Sequence, residues 1–438
     1  MFLFDEVLKK SKKNKSVKVG LIGAGKFGSM FLSQVPTTPA LSVTSIADIN
    51  PTKAKQSCRD VGWSDEYIEE TQFFDNAIDM IEKSKVDVIV EATGDPVSGV
   101  IHAKLGIANH IHIIMVNVEA DVLAGYQLSK EAMSNGVVYS MAYGDQPSLI
   151  CELVDWARCS GFDVVAAGKG TKFLPSYVKS TPETVWDHYG ISKAQAVTNG
   201  MNSQMFNSFL DGTKSALEMA AVSNATGLTV PSNGLSFPPV GVDDLANILK
   251  PISNGGLLET KGQVEVVSSL ELDGRPVSRD LRWGVYVVVE ANNDYSAGCF
   301  RQYGMNTDTT GYYSAMYKPF HLIGLELNNS IFSAALLGKS TGSTKYFNAD
   351  VIAVSKTDLK KGQMLDGEGG STVWGKLFSS DKSMNFGGLP IGLTNQVRLV
   401  NDVSVDTPLC WTDIEINFSC PVVKLRKHME KNWLRQFA

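Results

Sequence analysis

Several features are scarce in this 438-residue chain, and each absence excludes something. The six cysteines, Cys58, Cys151, Cys159, Cys299, Cys410 and Cys420, are scattered, with no CxxC and no metal-ligand spacing. That excludes a structural zinc motif and points to a reducing, cytoplasmic setting. No apolar stretch reaches the roughly 20 residues that a membrane-spanning helix needs. The opening Met1-Phe2-Leu3-Phe4-Asp5-Glu6 carries its charges on the wrong side of too short an apolar run, so no signal peptide is expected. No block of like charge is long enough for an interaction tail. The one basic cluster, Lys9 to Lys15, precedes the first expected strand and reads as the solvated end of a short helix. A net charge of −6 excludes a protein that coats polyanions, so neither nucleic acid nor membrane is expected as a partner.

The remaining composition, 43% hydrophobic and 20% charged, is that of a globular protein, and the length calls for two or three domains. The chain is organised around residues 17–48. An apolar run, Val17 to Ile22, enters the glycine turn Gly23-Ala24-Gly25-Lys26-Phe27-Gly28. A helical segment and a second apolar run follow, ending on Asp48, twenty residues past Gly28. This order of strand, GxGxxG, helix, strand and acid is the dinucleotide fingerprint. Gly23 permits the sharp turn, Gly25 lets the backbone approach a pyrophosphate, and Gly28 lets the helix pack on the sheet. Lys26 and Phe27, cofactor-binding candidates, lie in the turn just ahead of the helical segment Ser29 to Val35, whose free N–H groups favour phosphate. Asp48 accepts hydrogen bonds from a ribose 2′-OH and repels a 2′-phosphate, so the cofactor is NAD(P), leaning to NAD. Strand and helix then alternate. Val86 to Ala92 ends in Thr93-Gly94-Asp95-Pro96, a strand-end turn suited to a nicotinamide ribose, and Ile111 to Val116 closes on Asn117. The pattern predicts a doubly wound parallel sheet over residues 1–145.

Residues 146–344 read as a catalytic, substrate-binding and dimerisation domain, and 345–438 as a small β-rich domain with a basic C-terminal helix over Lys424 to Phe437. Gly168 to Lys172 reads as a loop whose Lys169 and Lys172 reach an anionic substrate. Asn202 to Asn224 reads as the longest helix, with Asp211 and Lys214 on one face. Ser296 to Tyr313 resembles a binding loop. Phe320 to Leu337 reads as a helix with His321, a substrate-binding candidate, near its start.

The chain resembles the homoserine dehydrogenase-like oxidoreductases that carry a C-terminal SAF domain. The stretches that carry the resemblance are Gly23 to Gly28, Val116 to Val122 (VNVEADV), Ala167 to Gly170 (AGKG), Leu210 to Lys214 (LDGTK) with Glu218 to Ala221 (EMAA), and Asp358 to Leu365 (DLKKGQML). One branch of that family looks like the 1-deoxy-D-xylulose 5-phosphate reductoisomerase-like enzymes. The resemblance implies an N-terminal Rossmann sheet, an α+β catalytic domain, a small β-rich SAF-like domain, hydride transfer and a homodimer.

Together these features predict an NAD(P)-dependent oxidoreductase acting on a small polar, anionic hydroxy or oxo compound. Lys214 polarises the substrate oxygen or passes its proton. Asp211 orients Lys214. Glu119 and Asn117, at a strand end, hold substrate hydroxyls, and Lys169 and Lys172 clamp a carboxylate or phosphate. No metal is called for, although Glu119 and Asp121 offer oxygen ligands to a divalent ion. Reductoisomerisation of a phosphorylated ketose and a non-catalytic NAD(H)-binding sensor or sugar-binding protein are the alternatives.

Overall fold

In the computed structural model, which describes residues 3–434, the chain divides into two units. The first comprises Met1–Leu149, His321–Lys345 and Lys424–Ala438; the second comprises Ile150–Phe320 and Tyr346–Val423. The expected N-terminal Rossmann region, central α+β region and smaller β-rich C-terminal region are all present.

The first unit is built on six parallel strands: β1 (Val17–Ile22), β2 (Leu41–Ala47), β3 (Gln72–Phe74), β4 (Val88–Glu91), β5 (His112–Met115) and β6 (Tyr139–Met141). Their order is β3-β2-β1-β4-β5-β6, so the chain reverses direction across the sheet between β1 and β4. A parallel sheet covered on both faces needs strands that are apolar throughout. Val19, Leu21, Val43, Ile46, Val88, Val90 and Ile114 are accordingly buried together in one core. The β3 segment, which the sequence presents only as a connection, pairs in parallel with β2. The C-terminal helix runs Pro421–Leu434; the last three residues expected in it lie outside the described residues. Within the first unit Arg426 is fully buried, donating to the Leu123 carbonyl at 3.2 Å and to Glu430 at 2.8 Å.

The second unit holds β7 (Asp163–Thr171), β8 (Gln263–Ser268), β9 (Val285–Glu290) and β10 (Tyr313–Lys318) in the mixed order β10-β9-β7-β8. Four further strands, β11 (Ala349–Ser355), β12 (Met364–Asp366), β13 (Val373–Ser379) and β14 (Asn395–Arg398), pair antiparallel as β11–β13 and β12–β14. The helix Thr213–Thr226 packs against β7 and β8 and against β11 and β13. That explains its composition: a helix covered on all sides has no polar face to show.

Four sequence expectations change here. Gly168 to Thr171 is strand, not loop: Cβ atoms at Gly168 and Gly170 would collide with the carbonyls of Glu265 and Leu281, so the glycines serve close strand packing. Asn202 to Asn224 is two helices, Ser203–Leu210 and Thr213–Thr226, broken at Gly212 with φ +91°. The segment after Phe320 becomes helical only at Asn328. The expected binding loop near 296 is in part the helix Asp294–Gln302.

One buried carboxylate in the first unit makes a pH-dependent prediction. Asp121 accepts hydrogen bonds from Tyr139 Oη at 2.9 Å and from Thr344 Oγ1 at 3.0 Å. Burial nevertheless pushes its carboxyl up to about 6. The folded chain therefore holds the proton more tightly than the unfolded one. This contribution to stability is full below about pH 4 and lost as pH rises through about 6. Relative to Asp121→Asn, the wild-type chain should lose on the order of 3 kcal/mol between pH 4 and 7. Urea melts across that range check this; a difference that stays constant with pH contradicts it.

Candidate functional site

The cofactor side is built at the C-terminal ends of β1, β2 and β4. After β1 the chain turns at Gly23 with φ +92°, where a Cβ would lie 2.7 Å from the Ala92 carbonyl oxygen. A Cβ at Gly28 would lie 2.5 Å from the Gly23 carbonyl oxygen, so both glycines are forced by close backbone approach. Gly25 is different. Its φ of −71° suits any residue, and a Cβ there would meet nothing within 4 Å. It caps the helix Lys26–Gln34 without a side chain, and no acidic residue stands in the first turn. Nothing stands where a side chain of residue 25 would point, which suits the approach of a phosphate to the free N–H groups that every helix leaves at its start. Lys26 is exposed there and Phe27 half-buried.

Asp48 follows β2. Its Oδ2 accepts from the Ala24 N–H and its Oδ1 from the Asn50 N–H, each at 2.9 Å, so the carboxylate is fixed to the glycine turn. Thr93 and Gly94 are exposed after β4. Thr93 Oγ1 donates to the buried Glu91 carboxylate at 2.6 Å, fixing that turn. Nothing in the sequence singles out Ile49, yet it is 97% exposed directly after Asp48. Its apolar side chain stands where a base could lie, and only the fold reveals that it faces solvent. These residues fit a dinucleotide: the turn for the pyrophosphate, Asp48 for a ribose, and Thr93 and Gly94 for the nicotinamide half.

Of the other first-unit candidates, Asn117 is committed elsewhere. Its Oδ1 accepts from the Ala120 N–H at 3.0 Å, capping the helix Val118–Ser134, and its Nδ2 donates to the Asp95 carbonyl at 2.8 Å. It positions the 93–95 turn. Glu119 is buried in the first turn of that helix. His321 is half-buried on an irregular segment ahead of the helix Asn328–Phe332.

The second unit brings together a different set. Lys169 is buried on β7 and forms an ion pair with buried Glu218 of the helix Thr213–Thr226, so it is not an anion clamp. Asp211 does not orient Lys214. It lies in the turn before the helix, where Lys356 Nζ donates to its Oδ2 at 2.7 Å and the Thr213 N–H donates to its Oδ1 at 2.9 Å. Complete burial pushes the Asp211 carboxyl up, while the Lys356 ammonium opposes that shift. Lys356 spends its remaining protons on the Ser180 and Gly370 carbonyls, at 2.8 and 2.7 Å. Glu218 lies in a stretch that the sequence marks as distinctive and Lys356 two residues before another, but their pairing depends on contacts remote in the chain.

Lys214 remains. From Thr213 to Ala225 it is the one residue that is not buried, and it stands in the first turn of the helix. Gly212 beside it is flanked by Phe173 and Phe237, whose rings stack with centroids 3.9 Å apart. Lys172, just past the end of β7, donates to the His188 carbonyl and lies 5.4 Å from the centre of the Tyr189 ring. Burial and neighbouring Arg282 hold its ammonium below the usual lysine range. Arg282 is a further residue that the sequence did not disclose. Among the described residues, no three His, Cys, Asp or Glu side chains gather as a metal site. No helix among them is long and apolar enough to cross a membrane.

Comparison with known proteins agrees with this division. Residues 17–141 match the family model "Oxidoreductase family, NAD-binding Rossmann fold", and residues 144–327 match "Oxidoreductase DRL, catalytic domain". The cofactor and catalytic domains are thus both those of NAD(P)-dependent oxidoreductases. No curated protein matches the chain. Among solved structures, the chain is similar to myo-inositol dehydrogenase from Lactobacillus casei, with 15% identity over 39% of this chain and 50% of that one, and a TM-score of 0.29. It is also similar to scyllo-inositol dehydrogenase from the same organism, with 11% identity over 63% and 74% of the two chains and a TM-score of 0.34. A levoglucosan dehydrogenase gives 13% identity, 69% and 66% coverage and a TM-score of 0.34. The chain spans about half the length of the first of these.

These matches overturn the resemblance to homoserine dehydrogenase-like enzymes with a SAF domain, and with it the reductoisomerase-like branch, because the matched models are of other oxidoreductases.

The open space at Gly25 separates binding from folding. Gly25→Val should leave the melting temperature within about 2 °C, since a surface change free of contacts alters stability little. NAD(P)H binding, followed by nicotinamide fluorescence, should be abolished. Unchanged binding in the folded variant would place the cofactor elsewhere.

Proposed function

We propose that the chain transfers a hydride between NAD(P) and a small polar hydroxy or oxo compound, with Lys214 acting on the reacting oxygen. The observation that carries this reading is the placement of Lys214. It is a half-buried cation in the first turn of a helix that is buried from Ser215 to Ala225. Its ammonium and the positive end of the helix present charge of one sign, which suits an oxygen that becomes negative as the carbonyl is reduced. In the oxidative direction the same ammonium, once deprotonated, takes the hydroxyl proton. When bound, the nicotinamide supplies or accepts the hydride. The chain's own part is to hold the oxygen at Lys214, move a proton there, and keep the helix in place through the pairs Lys169–Glu218 and Lys356–Asp211.

The cofactor preference leans to NAD. Asp48 is held against the glycine turn by the Ala24 N–H, so its charge cannot easily withdraw from a 2′-phosphate. Supporting the catalytic reading is the catalytic-domain match over the residues that include Lys214.

The test is Lys214→Ala against a panel of small hydroxy and oxo compounds, with and without a carboxylate or phosphate. Loss of a positioned acid–base group should lower kcat by roughly a hundred- to ten-thousandfold, with the Kd for NAD(P)H unchanged. Unchanged turnover in a folded variant sinks the assignment.

A further inference from the structure

Arg282 and Lys172, both in the second unit, have no counter-ion among the described residues. Arg282 is half-buried in the connection between β8 and β9, and its guanidinium lies 4.6 Å from the centre of the exposed Trp283 ring. It makes no salt bridge or side-chain hydrogen bond among the described residues. Lys172 makes no salt bridge either; its contacts are the His188 carbonyl and the Tyr189 ring. The two belong to one locality. A Cβ on Gly170, two residues before Lys172, would lie 2.9 Å from the backbone nitrogen of Arg282. Arg282 also acts electrostatically on Lys172, Tyr177 and Tyr189. Tyr177 and His188 pack with ring centres 4.7 Å apart and close one side. Neither the Tyr177 nor the Tyr189 hydroxyl has an acceptor among the described residues. Burial pushes the Tyr189 phenol up to about 12, so it stays a neutral donor.

Other buried lysines in this unit behave differently. Lys169, Lys250 and Lys356 are each matched by a carboxylate, Glu218, Asp308 and Asp211 respectively. A lysine and an arginine placed side by side repel each other, and burial strengthens that repulsion. A folded chain gains from such a pair when an anion completes it. The donors are of the kind that read an oxyanion: a planar guanidinium over an indole, an ammonium held by a carbonyl beside a ring, and two phenols.

We infer that Arg282 and Lys172, with Tyr177 and Tyr189, form a subsite for an oxyanion of the substrate, a carboxylate or a phosphate. As a statement about substrate it rests on the oxidoreductase reading above; as a statement about binding it stands alone. Arg282 makes the bidentate contact and Lys172 the point-charge contact. The subsite would then select acidic or phosphorylated hydroxy and oxo compounds over neutral ones.

The test is calorimetric titration of the full chain, without cofactor, using inorganic phosphate and, separately, acetate. At least one should bind saturably, and the tighter of the two identifies the group. Arg282→Gln and Lys172→Gln should each weaken it roughly ten- to hundredfold, the loss expected for a charge-assisted hydrogen bond. Arg282→Lys should recover only part of the loss. Arg275→Gln, at an exposed arginine already paired with Asp273, controls for loss of a positive charge and should change nothing. Thermal melts establish that the variants fold. Binding of neither anion to the wild-type chain overturns the inference, as does binding that survives both Gln substitutions in folded protein. Failure of the chain to bind NAD(P)H would instead remove the oxidoreductase reading and leave this result to be judged by the anions alone.

Discussion

The helix Thr213–Thr226 is the constraint on which the second unit depends. It is buried along almost its whole length, so every polar group it carries must find a partner within the unit. Glu218 finds Lys169 on β7. Asp211, just ahead of the helix, finds Lys356 just after β11. These pairs join the helix to the four-stranded sheet on one side and to the β11–β13 pair on the other. Removing one partner of such a pair strands a buried charge, at roughly 3–5 kcal/mol. The pairs do not make the helix more stable than an apolar one would be. They fix its rotation and its height. With those fixed, Lys214 stands half-buried in the first turn of the helix, one turn ahead of Glu218.

The first unit solves a different problem with glycine. Close backbone approach excludes a side chain at Gly23 and Gly28, whereas at Gly25 the space is left open. The same three residues therefore divide between architecture and binding. Asp48 links the two roles, because its carboxylate holds the turn through the Ala24 N–H and also faces the place where a ribose would lie. Asn117 and Glu91 act one step further back, through the turn at Thr93–Asp95.

Much of the first unit was legible in the sequence because its signals are local. A strand, three spaced glycines, a helix and an acid lie within residues 17–48, and each is defined by its neighbours in the chain. The second unit was legible only in outline. Gly168 and Gly170 resemble loop residues by composition, and their strand conformation follows from carbonyls of Glu265 and Leu281 that lie roughly a hundred residues away. Asp211 and Lys214 are three apart and so read as neighbours on one face, but Gly212 starts the helix between them. The nearer partner of Asp211 is Lys356, 145 residues further on. Arg282 carried no sequence signal, since an arginine in a connection usually faces water. Its meaning comes from the absence of a carboxylate beside it. The family resemblance failed for a related reason: short motifs are shared widely among enzymes with Rossmann cofactor domains.

The central claim is that the turn at Gly23–Gly28, with Asp48 behind it, binds a nicotinamide dinucleotide. The most direct measurement is titration of the full chain with NADH and with NADPH, followed by nicotinamide fluorescence, for the wild type and Asp48→Ala. The account predicts saturable binding with NADH the tighter, and loss of that preference in the variant. Binding of neither dinucleotide to folded protein would contradict it.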